Sequence, residues 1–194
     1  MAEYSFLSIW EIEAPIEDVW AVISRPEGYP QWFPYVTEAQ QIAPGDDAGI
    51  GAITRSRWQT ALPYGFVFDT RTTRSERPNL SELVAEGDLT GSGRWELAAD
   101  GPFTTVRYAW NVRPSMSWMD FLAPIARPAF AWNHAVIMRA GGEGLANRLG
   151  AKLVKNQSFT EESASPVGAL TAIGGLIALA ILTVSSVRRI VDRG

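Results

Sequence analysis

The strongest constraint on the fold is a series of strand-length runs between residues 35 and 113 that are separated only by turns. The breaks between the runs contain the Gly, Pro, Asn or Asp residues that favour turns. No helical pattern interrupts the series, and Asp100-Gly101 is a dipeptide that tight hairpin turns prefer. Consecutive strands joined by short turns pair as an antiparallel meander. The segments predicted as strands are 36–43, 50–59, 64–75, 80–89, 93–98 and 103–113.

A further strand and a short helix precede this series. Alternation over residues 4–12 predicts the strand, and Ile16, Val19, Trp20 and Ile23 have the spacing of one buried helix face. The segment that follows the helix contains several prolines and aromatic residues, and we interpret it as an irregular or helical turn. The chain is therefore expected to form an α+β domain with a seven-stranded antiparallel sheet.

After Pro114 the spacing of apolar residues becomes helical. Pro124 and Pro128 are expected to kink or split the first part of this region, and a longer helix is predicted from about 129 to 152. That helix is the only predicted element long enough to cover the apolar face of the sheet. A space between a curved sheet and a single helix is a suitable place for a ligand pocket.

Three glycines in the long helix, Gly141, Gly142 and Gly144, lower its intrinsic helix propensity. Two interpretations fit them. Either the helix backbone passes close to another surface at these positions, or the helix is locally frayed.

The C-terminal part of the chain has a different composition, because residues 163–187 contain no charged side chain. As a helix, the apolar stretch 167–187 would span roughly 32 Å, which is close to the hydrocarbon thickness of a bilayer. We predict a transmembrane helix there; the alternative is a helix buried in the protein core. The predicted organisation is a globular domain over 1–155, a polar linker over 156–166, a transmembrane helix over 167–187 and a basic tail over 188–194.

The expected topology is a single-pass C-terminal anchor with the globular domain on the cytoplasmic side. Glu3, Glu11 and Glu13 make the N-terminal segment unlike a signal peptide. Small residues of the span, among them Gly168 and Gly175, are compatible with helix pairing. The span is therefore a candidate contact for a homodimer or for another membrane protein.

Composition excludes several classes of site. The chain of 194 residues has no cysteine, one histidine, and 17 basic against 21 acidic residues, for a net charge of −4. Disulfides, thiolate metal sites, cysteine nucleophiles and multi-histidine metal sites are therefore excluded. The negative charge provides no attraction for nucleic acid, and no phosphate-binding glycine motif is present. We predict no metal, no cofactor and no nucleic-acid partner.

The candidate site residues are the single histidine and the aromatic residues. His134, beside Asn133 on the apolar stripe of the last helix, is either a polar or acid–base group in a cavity or a buried histidine with one hydrogen bond. The strand aromatics are core residues by default, and some of them can line a cavity instead. Charged strand residues such as Arg55 and Asp69 are expected to form cross-strand pairs on the solvated face; the alternative is that some point into the concave face as polar anchors of a pocket. The candidate ligand-binding residues are Trp58, Tyr64, Phe66, Phe68, Trp95, Tyr108, Trp110, Phe130, His134 and Met138.

The order of elements resembles the helix-grip fold of the StAR-related lipid-transfer and polyketide cyclase/dehydrase superfamily, also called SRPBCC or birch-pollen-allergen-like. Segments similar to its polyketide-cyclase-type bacterial members occur, in order, over residues 12–15, 29–34, 62–64, 87–91, 105–110 and 132–134. The resemblance covers about residues 3–150. It implies a curved sheet wrapped around the long C-terminal helix and a deep apolar cavity between them, which holds a lipid, polyketide, isoprenoid or similar ligand.

Three functions are consistent with these observations. The leading hypothesis is a membrane-anchored binding or carrier protein for an apolar small molecule or lipid. The second is a polyketide or terpenoid cyclase or dehydratase, in which His134 with a nearby carboxylate or with Tyr108 moves protons. The third is an assembly or scaffold protein of a membrane complex. A single histidine without an evident catalytic partner favours binding over catalysis.

Overall fold

The computed structural model describes residues 3–115 and 117–160, and within the long helix it describes side chains from residue 127 onward. The first strand is β1 (Tyr4–Ile12), followed by helix α1 (Ile16–Ile23) and a 3-10 helix (Pro26–Gln31). The meander is β2 (Val36–Ala43), β3 (Ile53–Gln59), β4 (Gly65–Glu76), β5 (Leu80–Gly87), β6 (Leu89–Asp100) and β7 (Phe103–Pro114). Helix α2 (Ser117–Leu149) and strand β8 (Leu153–Thr160) follow.

The strands form one sheet in the order β2-β3-β4-β5-β6-β7-β1-β8. Each hairpin of the meander pairs antiparallel, and β1 pairs antiparallel with β7. The antiparallel meander and the long helix are therefore as predicted, and together they form a helix-grip α+β fold. A two-residue turn of Gly101 and Pro102 joins β6 to β7, since Asp100 pairs with Phe103, and Gly101 has a positive φ of 58°.

The sheet has eight strands rather than the predicted seven. The additional strand, β8, lies beside β1: the Glu13 amide donates to the Lys152 carbonyl at 2.9 Å, and the hydroxyls of Ser8 and Ser158 are 3.0 Å apart. The predicted linker over 156–166 is therefore wrong for its first residues, because 156–160 belong to this strand. The polar composition of this segment is typical of a linker, but its strand conformation depends on the free edge of β1, which supplies the backbone partners.

Helix α2 is one element from Ser117 to Leu149, so Pro124 and Pro128 do not split it. Each proline removes only one backbone N–H from a helix of 33 residues, and the turns on both sides keep their own hydrogen bonds. The helix ends three residues before the predicted limit of 152. Gly150, at φ 62°, terminates it: the Gly150 amide bonds to the Asn147 carbonyl and the Ala151 amide bonds to the Ala146 carbonyl.

The glycines of α2 mark a close approach between the helix and the segment that follows α1. A Cβ on Gly144 would overlap the Trp32 carbonyl oxygen, and a Cβ on Gly141 would overlap the Phe33 ring. A Cβ on Gly142 would lie 2.9 Å from Trp10 Nε1. The interpretation of a helix backbone packed against another surface is therefore confirmed. These contacts hold the C-terminal half of α2 against the core.

The two faces of the sheet differ in chemistry. The concave face is apolar, and β1 shows this clearly, since alternate residues from Tyr4 to Ile12 are buried. The convex face carries charges: Arg55 donates to Asp69 across β3 and β4 at 2.7 Å, and both side chains are solvated. The prediction that these charged strand residues lie on the solvated face is confirmed.

Among the residues that the structure describes, no helix is both long and apolar enough to cross a membrane. The predicted transmembrane helix over 167–187 and the basic tail over 188–194 lie outside the described residues.

Candidate functional site

A cavity of about 140 Å³ lies between the concave face of the sheet and helix α2. Its described wall is dominated by aromatic rings and contains all ten residues that the sequence singled out. The strands contribute Trp58 (β3), Phe66 and Phe68 (β4), Trp95 (β6), and Tyr108 and Trp110 (β7); Tyr64 precedes β4; and α2 contributes Phe130, His134 and Met138.

Strand register explains why these residues meet. In an antiparallel pair, directly opposed residues point to the same face of the sheet. Trp58 is opposite Phe66, and Trp95 is opposite Tyr108. Residues two positions apart share a face as well, so Trp110 follows Tyr108 along the wall. Alternation within each strand therefore assembles the aromatic wall from segments that are far apart in sequence.

The ring of Tyr108 lies between two tryptophans. It stacks on Trp95 with ring centroids 3.9 Å apart and on Trp110 with centroids 5.7 Å apart. Gly93, on the neighbouring strand, leaves room for this arrangement, because a Cβ there would lie 2.9 Å from the Tyr108 hydroxyl and 2.9 Å from Trp110. Stacking on both sides fixes the direction in which the tyrosine hydroxyl points.

The Tyr108 hydroxyl forms no hydrogen bond with any residue that the structure describes. Burial raises the pKa of Tyr108 well above its ordinary value, and the nearby Tyr29 adds to this effect. Tyr108 is therefore a neutral phenol at every physiological pH. Tyr29 differs from it, because the Tyr29 hydroxyl donates to the Ile23 carbonyl at 2.9 Å.

His134 lies on the helix side of the cavity and stacks on Phe6, with ring centroids 4.0 Å apart. Its Nε2 is buried and has no hydrogen-bond partner among the described residues. Burial lowers the pKa of His134 from 6.5 to about 3, so the ring is neutral near pH 7. Nε2 is therefore free to bind a molecule in the cavity as far as the described residues are concerned.

No described residue of the cavity wall carries a charge. Its polar side chains besides the tyrosines are Ser56, Thr60, Thr70, Asn133 and His134. A carboxylate partner for His134, which the catalytic hypothesis required, does not occur in this part of the wall. Groups of acidic and histidine residues suited to a metal ion are likewise lacking over the described ranges.

Phe6 and Phe33 also line the cavity and are not among the candidates from the sequence. The alternation of β1 is the available signal for Phe6. Asn133 is buried, and its Oδ1 accepts a hydrogen bond of 2.9 Å from the Ala61 amide. This bond ties the loop between β3 and β4 to α2. The partners are 72 positions apart in sequence, so no local pattern indicated the bond.

Comparison with known proteins identifies the family to which this domain is similar. The family described as polyketide cyclase / dehydrase and lipid transport matches residues 12–153, which is more than half of the chain. The chain belongs to this family. The matched range contains β2 to β7, α2 and most of the cavity wall. The family match therefore includes most residues that line the cavity.

Solved structures of this architecture come from several bacteria. A START superfamily protein from Mycobacterium smegmatis is 18% identical, with a TM-score of 0.63 over 76% of this chain and 97% of that one. The Zhui aromatase/cyclase from Streptomyces sp. R1128 is 15% identical, with a TM-score of 0.63 over 86% of this chain and 99% of that one. A conserved protein from Geobacillus kaustophilus is 12% identical, with a TM-score of 0.62 over 79% and 98%. At these identities the likeness shows the fold alone. No curated protein matches the sequence.

The description of the family names both polyketide cyclase or dehydrase activity and lipid transport.

Proposed function

We propose that the domain binds a small apolar molecule in the cavity between the sheet and α2. The observation that carries this proposal is the uncharged aromatic wall around a space of about 140 Å³. A cavity of about 150 Å³ with an apolar lining stays dry and accepts a molecule of the size of benzene. A ligand with one ring therefore fits without rearrangement of the wall.

The affinity expected from the wall alone is modest. One aromatic ring buries roughly 200 Å² of apolar surface, which contributes about 5 kcal/mol at about 25 cal/mol per Å². The loss of translational and rotational freedom on association offsets much of this. Single-ring probes are therefore expected to bind with dissociation constants of about 0.2 mM at the tightest and more often in the millimolar range, and assays need ligand at those concentrations.

Binding is favoured over the cyclase or dehydratase alternative by the electrostatics of the described wall. Acid–base catalysis is most effective when the pKa of the group lies near the working pH. The pKa of His134 is lowered to about 3, and the pKa of Tyr108 is raised well above 10.0. Neither group exchanges a proton readily at neutral pH, and the described wall has no carboxylate to assist them.

The test is to identify what the purified protein carries. Extraction with organic solvent followed by mass spectrometry is expected to recover an apolar molecule in repeated preparations. A matched pair of variants locates it: Val112→Phe places a ring in the cavity wall, and Val154→Phe adds the same ring at a position that is 49% exposed on β8.

Val112→Phe is expected to abolish recovery of the molecule and binding of isopropylbenzene, whereas Val154→Phe retains both. An empty cavity in every preparation, together with no binding of isopropylbenzene at millimolar concentration, would contradict the proposed function. Equal binding by the two variants would place the ligand elsewhere on the protein.

We propose in addition that residues 167–187 anchor the protein in a membrane, with the globular domain in the cytoplasm. The support is the uncharged apolar stretch and its length. The full chain is expected in the membrane fraction and to require detergent for extraction. A chain that ends at residue 166 is expected in the soluble fraction. Recovery of the full chain in the soluble fraction would refute the anchor without affecting the cavity proposal.

A further inference from the structure

We infer that the cavity selects a neutral ligand that carries a hydrogen-bonding oxygen, and that the Tyr108 hydroxyl binds this oxygen. This inference rests on the proposed function, since it concerns the chemical class of the molecule that the same cavity holds. It adds a polar requirement to a site whose wall is otherwise apolar.

The position of Tyr108 supports a role as an anchor. The stacks with Trp95 and Trp110 hold the ring, and the absence of a side chain at Gly93 makes room for the hydroxyl. A group held in one orientation loses little conformational entropy when it forms a hydrogen bond. The tyrosine therefore presents a fixed donor to whatever occupies the cavity.

The lack of a protein partner is the second step. Most buried polar side chains have a hydrogen-bond partner, and an unsatisfied one lowers stability. The Tyr29 hydroxyl in the same wall is satisfied by the Ile23 carbonyl, whereas Tyr108 is only partly buried and its hydroxyl has no partner among the described residues, so it is open to a molecule in the cavity. His134 Nε2 on the helix side is likewise unpaired within those ranges. A ligand oxygen can satisfy the hydroxyl, and a hydrocarbon leaves it unpaired.

The third step concerns charge. An ion that enters an apolar cavity loses its hydration and needs an opposite charge or several hydrogen bonds to compensate. The described wall contains no charged side chain. His134 is neutral near pH 7, because burial lowers its pKa to about 3, so it does not pair with a carboxylate. Ketones, phenols and alcohols therefore fit the wall better than carboxylates or amines.

Three probes of one size and shape test the inference with the full chain: acetophenone, isopropylbenzene and benzoate. Each has a phenyl ring with a branched substituent that is a ketone, a hydrocarbon or a carboxylate. Tyr108→Phe removes the hydroxyl and keeps the stacked ring. The matched control is Tyr35→Phe, which removes a hydroxyl from a half-buried tyrosine that is not in the described cavity wall.

Acetophenone is expected to bind the Tyr108→Phe variant about fivefold to tenfold more weakly than the wild type, the effect of one neutral hydrogen bond. Isopropylbenzene is expected to bind this variant as tightly as the wild type or more tightly. The Tyr35→Phe variant is expected to bind both probes as the wild type does. Benzoate at pH 7 is expected to bind the wild type at least about a hundredfold more weakly than acetophenone, since its charge has no partner.

Two outcomes would overturn the inference while the proposed function stands. The first is unchanged acetophenone binding in a Tyr108→Phe variant that still binds isopropylbenzene. The second is benzoate binding to the wild type as tightly as acetophenone, which requires no variant and therefore decides the matter even if Tyr108→Phe does not fold. If no probe binds the wild type and every preparation of the protein lacks an apolar molecule, the proposed function itself fails.

Discussion

Replacing the single histidine is expected to remove most of the pH dependence of stability between pH 5 and pH 7. His134 is the only histidine of the chain, and no cysteine is present, so no other side chain has an ordinary pKa in this range. Burial lowers its pKa from 6.5 to about 3 in the folded state. Asp69, whose pKa is lowered by its hydrogen bond from Arg55, titrates below this window.

The sign follows from proton uptake. Below pH 6.5 the unfolded chain binds a proton at this histidine and the folded chain does not, so acid favours unfolding. The stability is complete above pH 6.5 and decreases as the pH falls toward 3. Between pH 7 and pH 5, proton binding by this histidine shifts the unfolding equilibrium toward the unfolded state by about 1.4 powers of ten. This corresponds to a loss of about 1.9 kcal/mol in the free energy of unfolding.

The assay is urea unfolding followed by tryptophan fluorescence at pH 7 and at pH 5. With a urea dependence of about 2 kcal/mol per M, the wild-type midpoint is expected to fall by about 1 M between these pH values. His134→Phe keeps a ring against Phe6 and cannot titrate, so its midpoint is expected to change far less. The imidazole C2 proton in the NMR spectrum of the wild type is expected to keep its neutral position from pH 8 to pH 5.

An imidazole midpoint between pH 6 and pH 7 would refute this reasoning. The same refutation would follow if His134→Phe lost as much stability as the wild type on going from pH 7 to pH 5. Either result would mean that His134 is accessible to water and exchanges protons at neutral pH. It would then be available for the acid–base role in the cyclase alternative.

Two further predictions concern the packing of α2. Gly144→Ala is expected to lower the free energy of unfolding by about 1–3 kcal/mol in urea unfolding, because the new methyl group overlaps the Trp32 carbonyl. Helix propensity alone predicts a gain of about 1 kcal/mol, so a stabilised variant would contradict the close packing. Gly28→Ala, where the added carbon meets no atom within 4 Å, is the control and is expected to change stability by no more than about 0.5 kcal/mol. Asn133→Ala is expected to speed hydrogen exchange at the Ala61 amide, which loses its acceptor; unchanged protection would show that the loop is held by other contacts.

Much of the fold could be predicted from local patterns. The turn-forming residues separate the meander strands, and strand alternation together with the apolar stripe of α2 selects the aromatic residues. Because antiparallel pairing brings alternate residues of neighbouring strands to one face, Trp58, Trp95 and Tyr108 reach the same cavity wall. Turn preferences and the periodicity of strands and helices act over a few residues, and they can therefore be recognised in the sequence.

Tertiary structure decided the features that depend on distant partners. The polar segment 156–160 forms a strand only because β1 has an edge to pair with, and the loop at Ala61 is held by Asn133 from a different element. Whether His134 is satisfied or unpaired depends on what surrounds its ring, and its neutral state follows from burial. By itself, the sequence determined which residues share a face; only the packing of the sheet against α2 decided which of them border an uncharged cavity. The physical reason is that solvation, register with distant strands and unpaired polar atoms are properties of the assembled core.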